Sequence, residues 1–330
     1  MSPTYYDSNI YMQSANLVVK VAYLYYYKHM RQSDIASQLE ISVPTVSRLL
    51  KKAKEQEVVR FTIDQRLLEC LEMEDHLRGR FRLREVIVAP LQGDVQKMKL
   101  EDLKKTVALE GARYLQRIVT EHDKLGVAWG ETVWYVYNYL NPSQRINMEF
   151  VTLHGFLNHA ASKLDSSWLV PRIAKAFGGK SYSIDYKGFQ SRKSDVIQIM
   201  QDENVRRAFD QFPYLTLSVS GVGMFYPEPQ SILATGHYLS DSAMEQLRQA
   251  GVYGDLIFRF FDQNGNECDT DMRYQCIGIP WEIYKRIPNK IIVAAGEKKK
   301  DVIIALLRGR LVDTLIIDES LARSICRSLD

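Results

Sequence analysis

Three glycine turns stand where an apolar run is followed by a turn or a helical stretch: Gly130-Glu131-Thr132 after Leu125 to Trp129, Gly221-Val222-Gly223 after Leu215 to Val219, and Gly296-Glu297-Lys298 after Lys290 to Ala294. Without a Cβ, backbone N–H groups at such turns can close on a bound anion, and a helix N-terminus adds a potential that favours negative charge. Lys298 places a cation beside the third turn, as a phosphate partner would be placed; Lys299 and Lys300 follow it directly, so a solvated charged run fits the same letters. Glycine at a strand-to-helix turn more often serves backbone geometry, and the suggestion of a small phosphorylated ligand rests on the three turns together. Asp255, Arg259 and Asp262 fall around an otherwise apolar stretch, where an unpaired charge is costly. The Asp255 carboxylate either receives ligand hydroxyls or pairs with Arg259, and the residues leave both open. Among six histidines, His154 at the end of Met148 to Leu153 is the one placed as a site residue would be, with Gly155 beside it.

No nucleophile with an adjacent base accompanies these positions. GxSxG, HExxH and GxxxxGK[ST] are all missing from the sequence. The four cysteines, Cys70, Cys268, Cys276 and Cys326, are scattered without a CxxC and without histidine at zinc-ligand spacing. Reduced thiols, no metal site, no cofactor and no enzymatic activity are the expectations.

A second kind of chemistry is concentrated near the start of the chain, in RQSDIASQLEISVPTVSRLLKKAK from Arg31 to Lys54. Ile35, Ala36 and Leu39 share one side of a short helix opening at Ser33 or Asp34, both good N-caps. Ser42 then caps a second helix with Pro44 in its first turn, where the missing N–H costs nothing. Val46, Leu49 and Leu50 form its inward face. Ser42, Val43, Pro44, Thr45, Ser47, Arg48, Lys51 and Lys52 are left for the outer side and the early turns, a set that suits a recognition helix: small polar residues reach base edges and basic ones clamp phosphates. Glu40 and Ile41 occupy the turn where such motifs often hold glycine, so a somewhat different turn is expected. A pair of packing helices inside a larger domain is the alternative, and the basic cluster weighs against it.

These sites need elements to hold them. Ala15 to Met30 reads as a helix on which the helix-turn-helix packs; Tyr5, Tyr6 and Tyr11 extend it or dock it on a partner chain, core packing being the simpler role. Val58 to Ile63 alternates as a strand, half of a wing or a lead into the next segment. From Asp64 to Arg82, Leu67, Leu68, Leu71 and Leu77 recur at helical spacing, as in a linker helix. Beyond Arg84, strands at Glu85 to Ala89, Leu125 to Trp129, Met148 to Leu153, Leu215 to Val219, Lys290 to Ala294 and Asp313 to Ile317 alternate with helices at Leu100 to His122, Thr132 to Leu140, Ser166 to Phe177, Ser191 to Phe212, Ser240 to Ala250 and Lys299 to Arg308. That alternation predicts a mostly parallel sheet covered on both faces, with ligands bound beyond the C-terminal strand ends. Leu256 to Phe261 reads as one strand leading into a hairpin turn at Asn264-Gly265. The fold class is therefore α/β, with an all-α, winged-helix-like helix-turn-helix domain (1–63), a linker helix (64–84) and a doubly wound effector domain (85–330).

At 330 residues and 46% hydrophobic content the chain can bury a substantial core, and no apolar run approaches the length of a membrane span. The first residues lack a basic start followed by an apolar stretch, so a cytoplasmic location is expected. A net charge of only +3 excludes a general nucleic-acid coat. Positive charge collects locally instead, at Lys28, Arg31, Arg48, Lys51, Lys52 and Lys54 against Asp34 and Glu40.

The helix-turn-helix together with GVAWGET (Gly126 to Thr132), GVYGDLIFRFFDQNG (Gly251 to Gly265) and AAGEKKKDVIIALLRGRLVDTLIIDESLA (Ala294 to Ala322) resembles the SorC family of bacterial sugar-responsive transcriptional regulators, over nearly the whole chain. The resemblance implies a DNA-binding head joined to an effector domain similar to sugar-phosphate isomerases, usually a tetramer, responding to a sugar or phosphorylated sugar. Carried over by motif, Gly130, Glu131, Thr132, Gly221, Gly223, Asp255 and Lys298 would line the effector pocket, with His154 and Gly155 at the adjoining strand end. Glu131 departs from members with two threonines after the glycine, and a carboxylate there would repel a phosphate, so it suits a hydroxyl better. Leu153-His154-Gly155-Phe156 departs from members with two adjacent glycines or with Lys at the position of His154; without that lysine no Schiff base forms, and a non-covalent ligand is expected. The implied function is control of a carbohydrate-utilisation operon by a dimer or tetramer on double-stranded DNA, away from any membrane. A sugar-phosphate-converting enzyme with an accessory head is the alternative.

Overall fold

Apolar residues spaced three and four apart in the first sixty positions find one another around a small core of their own. The computed structural model describes residues 14–91, 93, 98–142, 145–157, 166–235 and 238–329, and the chain divides after Asp64 into two compact units. Helix α1 (Ala15–Ala22) opens at Ser14, whose hydroxyl accepts from the Leu17 N–H, and runs on as a widened π-helical turn from Tyr23 to Tyr27. Helices α2 (Gln32–Gln38) and α3 (Val43–Glu55) follow. Val18, Val21 and Leu24 meet Ile35 and Ala36 of α2 and Val46, Leu49, Leu50 and Ala53 of α3. Ser42 caps α3 as expected, accepting from the Thr45 N–H at 3.2 Å, with Pro44 in the first turn. Tyr5, Tyr6 and Tyr11 lie outside the described residues.

Three local expectations change. Helix α2 opens at Arg31 rather than at Ser33 or Asp34 and has no side-chain cap; the Ser33 hydroxyl turns to Asp34 instead. The glycine-free turn is not a new geometry. Glu40 itself takes φ +54°, its N–H bonds Ser37 O, and the Ile41 N–H bonds Ala36 O at 3.0 Å. This is the Schellman ending with Glu40 in the place usually given to glycine, at a backbone cost of about 1 to 2 kcal/mol. Val58 to Ile63 forms no strand: alternation makes a strand only where backbone donors find a partner edge, and none is present among the described residues of this unit. Phe61 rests on Tyr26, ring centroids 5.4 Å apart, under the Lys54 ammonium.

The second unit begins with α4 (Gln65–Phe81). Its Cys70, Met73 and Leu77 are buried in the main core of that unit. Arg66 pairs with Glu319 at 2.8 Å, Arg323 with Glu69 at 2.8 Å, and Glu74 accepts from the Val88 N–H. Leu67 and Leu71 face outward.

The chain then lays down β1 (Glu85–Ala89), α5 (Leu100–Ile118), β2 (Lys124–Val127), α6 (Glu131–Tyr139), β3 (Glu149–Thr152), α7 (Ser166–Phe177) and β4 (Lys180–Tyr182). After α8 (Lys193–Ile199) and α9 (Glu203–Phe209) come β5 (Leu217–Ser220), β6 (Gly223–Met224), α10 (Ile232–Thr235), α11 (Asp241–Gln249), β7 (Gly254–Leu256) and β8 (Arg259–Phe261). The last stretch holds α12 (Asp271–Gln275), α13 (Trp281–Lys285), β9 (Asn289–Ala294), α14 (Lys300–Arg308), β10 (Thr314–Asp318) and α15 (Glu319–Arg327). Seven strands make one sheet in the order β1-β10-β9-β5-β2-β3-β4, every pair parallel. From β2 the chain winds outward through β3 to β4, then returns to set β5 on the other side of β2 and winds back towards β1. The order reverses between β2 and β5, where a crevice opens at the C-terminal strand ends.

Both faces are buried, which is why the strands read as continuous apolar runs. In β9, Ile291 and Val293 pack with α5, α6 and α7 residues such as Val107, Val136 and Ile173. Ile292 and Ala294 point the other way, among residues of α4, α14 and α15 such as Leu77, Val302 and Leu321.

Some elements were not predicted. The β4 edge strand, Lys-Ser-Tyr, has no apolar run to announce it. Ser191 to Phe212 divides into α8 and α9 because the Asp202 carboxylate caps a new helix, accepting from Asn204 and Val205. The single strand expected over Leu256 to Phe261 is two antiparallel strands, β7 and β8, with Leu256 opposite Arg259; they join β6 in a small second sheet. Asn264-Gly265 still turns the chain back, bringing Glu267 opposite Phe261.

Leu77 is fully buried, so Leu77→Ala is expected to destabilise the second unit by about 2 to 5 kcal/mol. Denaturant unfolding of the full chain measures this; a loss below 1 kcal/mol would mean that α4 is not built into that core.

Candidate functional site

A cavity of about 310 Å³ lies in the crevice between β2 and β5. It takes its walls from the turn after β2, the turn after β5, the end of β3, the small sheet and the segment before α14. Gly130, Glu131, Thr132, His154, Gly221, Gly223 and Asp255, remote in sequence, all line it.

Asp255 sits on β7 opposite Gly223 of β6. Its carboxylate is buried and accepts from the Ser231 hydroxyl at 2.5 Å. A Cβ on residue 223 would stand 1.9 Å from Asp255 Oδ1 and 2.6 Å from Ser231 Oγ. Glycine is thus required there by the carboxylate beside it, not by turn geometry. Burial raises the Asp255 pKa to about 6 against the opposing effects of the Ser231 hydrogen bond and the Lys299 charge. Arg259 is not its partner: it pairs with Glu267 at 3.4 Å and donates to the carbonyls of Arg273 and Gly278. Of the two alternatives left by the sequence, the ion pair with Arg259 is therefore absent.

The cation on this wall is Lys299. Its ammonium donates to Val222 O at 2.7 Å, and burial, reinforced by the like charge of Lys104, lowers its pKa to about 8. Lys298 lies outside the cavity, 71% exposed and 3.9 Å from Glu228. Residues 297 to 299 form a single 3₁₀ turn after Gly296, and that rotation carries 298 outward and 299 inward. Gly296 itself, at φ +97°, accepts from the Lys299 N–H and donates its own N–H to Asp318.

The opposite wall is aromatic. Trp129 and Phe258 line it, with ring centroids 5.8 Å apart, and the His154 imidazole lies 4.1 Å from the Phe258 ring. Burial depresses His154 to a pKa of about 4, so the ring is neutral at pH 7. Nδ1 is then the donor to Gly155 O at 2.8 Å, and Nε2 accepts from the Trp129 N–H at 3.4 Å. Gly155 does not line the cavity. Its N–H bonds Ile277 O, and a Cβ there would meet Tyr186 O at 2.2 Å, so it permits close backbone packing behind His154.

At the mouth, Gly130 takes φ +140° and caps α6 without a side chain. The N–H groups of the first turn of α6 point where an anion would be welcome. Glu131 ion-pairs with Lys104 of α5, a cavity residue that carried no local sequence signal. Sequence reasoning also missed Ser231 and Phe258, and placed the third-turn cation one residue early.

In the first unit, Val43, Pro44, Ser47, Arg48 and Lys51 are exposed on α3, Lys51 lying 3.8 Å from Glu55, and Lys52 is half-buried. Thr45, expected on the outer face, is buried, and its hydroxyl is 2.8 Å from Ser42 Oγ. That bond and the cap itself engage the hydroxyl of Ser42, which is exposed.

A second concavity, of about 370 Å³, lies at the other end of the sheet, before β1 and β10. Its Arg80, Arg82, Arg308 and Arg310 stand at the ends of α4 and α14, where cations complement helix C-terminal carbonyls. Among the described residues no helix is long and apolar enough to cross a membrane.

Residues 65–327 match the family model described as "Putative sugar-binding domain". The chain is 26% identical over 319 residues to the deoxyribonucleoside regulator of Bacillus subtilis (strain 168), covering 96% of this chain and 99% of that protein. It is 27% identical over 315 residues to the sorbitol operon regulator of Klebsiella pneumoniae, covering 94% and 98%. The solved full-length structure of that sorbitol operon regulator superposes with a TM-score of 0.72 at 27% identity, over 95% of this chain and 99% of that one.

Because the folded-state pKa of Asp255 lies above its ordinary value, the folded protein holds the extra proton between about pH 4 and pH 6. Stability therefore falls as pH rises through that window, by up to ~3 kcal/mol at ~1.4 kcal/mol per unit. Asp255→Asn removes the penalty and is expected to raise the unfolding free energy relative to wild type at pH 7.5, with no gain at pH 4. His154 acts in the opposite sense, its buried neutral ring losing stability as pH falls from about 6.5 towards 4, but it is common to both proteins and cancels in the difference. Equal unfolding free energies at pH 7.5 would contradict the buried, charged carboxylate.

Proposed function

We propose, from the premise that this chain belongs to the sugar-binding-domain family and within it to the SorC family of bacterial transcriptional regulators, that it is a sequence-specific DNA-binding regulator of a carbohydrate-utilisation operon, controlled by a sugar or phosphorylated sugar in the β2–β5 cavity. The observation that carries the effector reading is the two-sided cavity. Asp255, Ser231 and Lys299 offer hydrogen bonds and charge on one side, while Trp129 and Phe258 offer an apolar surface on the other. A sugar presents the same division, hydroxyls around its edge and C–H groups on its face. In a phosphorylated ligand the phosphate sits at the α6 N-terminus, where it competes with Glu131 for Lys104. At the end of β3 the ligand is held without a covalent bond, since His154 stands where some members of the family carry a lysine.

The head, residues 1–63, contacts DNA through α3. Val43, Pro44 and Ser47 reach base edges, and Arg48, Lys51 and Lys52 hold phosphates. The segment 64–84 leads from it into the effector domain, its helix α4 packed into the core of that unit. Paired heads in a homodimer or homotetramer read a palindromic or repeated operator in the cytoplasm. The effector controls binding by favouring one arrangement of the subunits over another, because only a differential affinity moves that equilibrium. The cavity is a binding site rather than a catalytic one on this reading, which the regulator names of both relatives support; the alternative, a sugar-phosphate-converting enzyme, requires turnover of a sugar phosphate.

Binding to the promoter DNA beside the protein's own gene, at physiological salt and with a panel of sugars and sugar phosphates, tests the whole reading. Arg48→Ala and Lys51→Ala are each expected to weaken operator binding about tenfold and to leave sugar binding intact. Asp255→Ala and Lys299→Ala should abolish the response to the sugar but not the DNA contact, whereas Lys298→Ala should retain both. Specific DNA binding that no compound alters would remove the effector assignment, and steady turnover of any panel member would restore the enzyme.

A further inference from the structure

The turn between β7 and β8 is built from the wrong residues for its backbone. Leu256 and Arg259 close a two-residue turn, and its central residues, Ile257 and Phe258, have φ +52° and +65°. Two positive φ values in succession are the signature of a type I′ turn, whose second position strongly favours glycine. A β-branched residue and a large aromatic one are poorly suited to it on local grounds. Strain of this kind persists only where the surroundings over-determine it, and it gathers at ligand sites.

The surroundings of Phe258 have been cleared for its ring. Gly188 faces it: a Cβ at residue 188 would stand 2.0 Å from Phe258 Cε2 and 2.4 Å from Cδ2. The ring is 2% exposed and contacts three others, with centroids at 4.1 Å from His154, 4.9 Å from Phe189 and 5.8 Å from Trp129. It also lines the effector cavity, whose volume of about 310 Å³ is at the small end for ligand sites. A side chain is present where the backbone asks for none, and a side chain is missing where one would block it.

Resting on the effector reading above, we propose that Phe258 is the specificity-determining residue of the cavity. Its ring closes the aromatic end of the site and restricts the ligand to a short-chain sugar or sugar phosphate that lays a C–H face against the ring, while Asp255 and Lys299 hold its polar edge. The ring contacts shown for Phe258 are with Trp129, Phe189 and the neutral imidazole of His154, so it acts by shape and apolar contact rather than by charge. Removing the ring is expected to lengthen the site at its aromatic end, opposite the Asp255–Ser231 hydrogen bond.

The experiment is calorimetric titration of the full-length protein, Phe258→Gly and Phe258→Leu with dihydroxyacetone phosphate, ribose 5-phosphate and glucose 6-phosphate, and with unphosphorylated ribose and glucose. Wild type is expected to prefer a three- or five-carbon probe over its six-carbon counterpart. In Phe258→Gly the ratio of affinities should shift at least tenfold towards the six-carbon probe, with a smaller shift in the same direction for Phe258→Leu. Should the glycine variant fail to fold, the leucine variant decides alone, since it keeps an apolar side chain at that position. Unchanged ratios in folded variants, or a wild type that already binds glucose 6-phosphate as tightly as the shorter probes, would overturn the proposal while leaving the effector reading in place. Binding of a six-carbon probe by Phe258→Gly alone would support it directly. No binding of any probe by any of the three proteins would remove the effector reading, and this proposal with it.

Discussion

A carboxylate in an apolar interior must be given partners or lose its charge, and Asp255 imposes that requirement on its neighbourhood. Ser231 is held near by the turn into α10, whose Leu233 N–H bonds the same hydroxyl. Residue 223 is glycine because a methyl group would collide with the carboxylate. Lys299 is drawn inward to a site where its own charge is disfavoured, and its attachment to Val222 O ties the turn after β5 to the segment after β9. Four stretches of chain separated by up to 77 residues are thereby committed to one arrangement.

The scaffold around that constraint is assembled by burial alone. β5, β9 and β10 are buried on both faces, so these strands have no wet side, unlike the exposed β4 edge. The candidate site lies where the winding order reverses, lined by the glycine turns after β2 and β5. Function is placed where the hydrophobic pattern runs out, at strand ends with no further apolar residues to bury.

Long-period features were legible in the sequence and short-range rotations were not. The alternation of apolar runs and helices announced a parallel doubly wound sheet because both faces need cover, and the Ser42 cap with Pro44 announced the start of α3. Thr45 was misjudged because at the third residue of a helix a few tens of degrees decide between core and solvent; Lys298 and Lys299 were exchanged for the same reason, since a 3₁₀ turn advances side chains by a larger angle than an α-helix. β4 has no apolar residue pattern to read, and its pairing is set by β3. Val58 to Ile63 carried the pattern of a strand without an edge to join. The turn at Ile257-Phe258 was invisible because propensity forbids it, and such contradictions between local preference and structure gather where ligands bind. In the candidate site, residues at glycine turns were recoverable from sequence, whereas Lys104, Ser231 and Phe258 were brought in by tertiary folding.

Glu319 accepts from Arg66 of α4, from Arg323 of its own helix and from the Leu91 N–H, while Arg323 reaches back to Glu69. The first and last helices of the second unit are thus fastened to each other by a clasp of four charges. Shortening that unit from either side opens the clasp and uncovers the Cys70–Met73–Leu77 face. The chain divides into its two compact units after Asp64, one residue before α4 begins. On the regulator reading, a recombination breakpoint at that residue, where the two compact units divide, exchanges one DNA reader for another and leaves the clasp, and with it the receptor, whole.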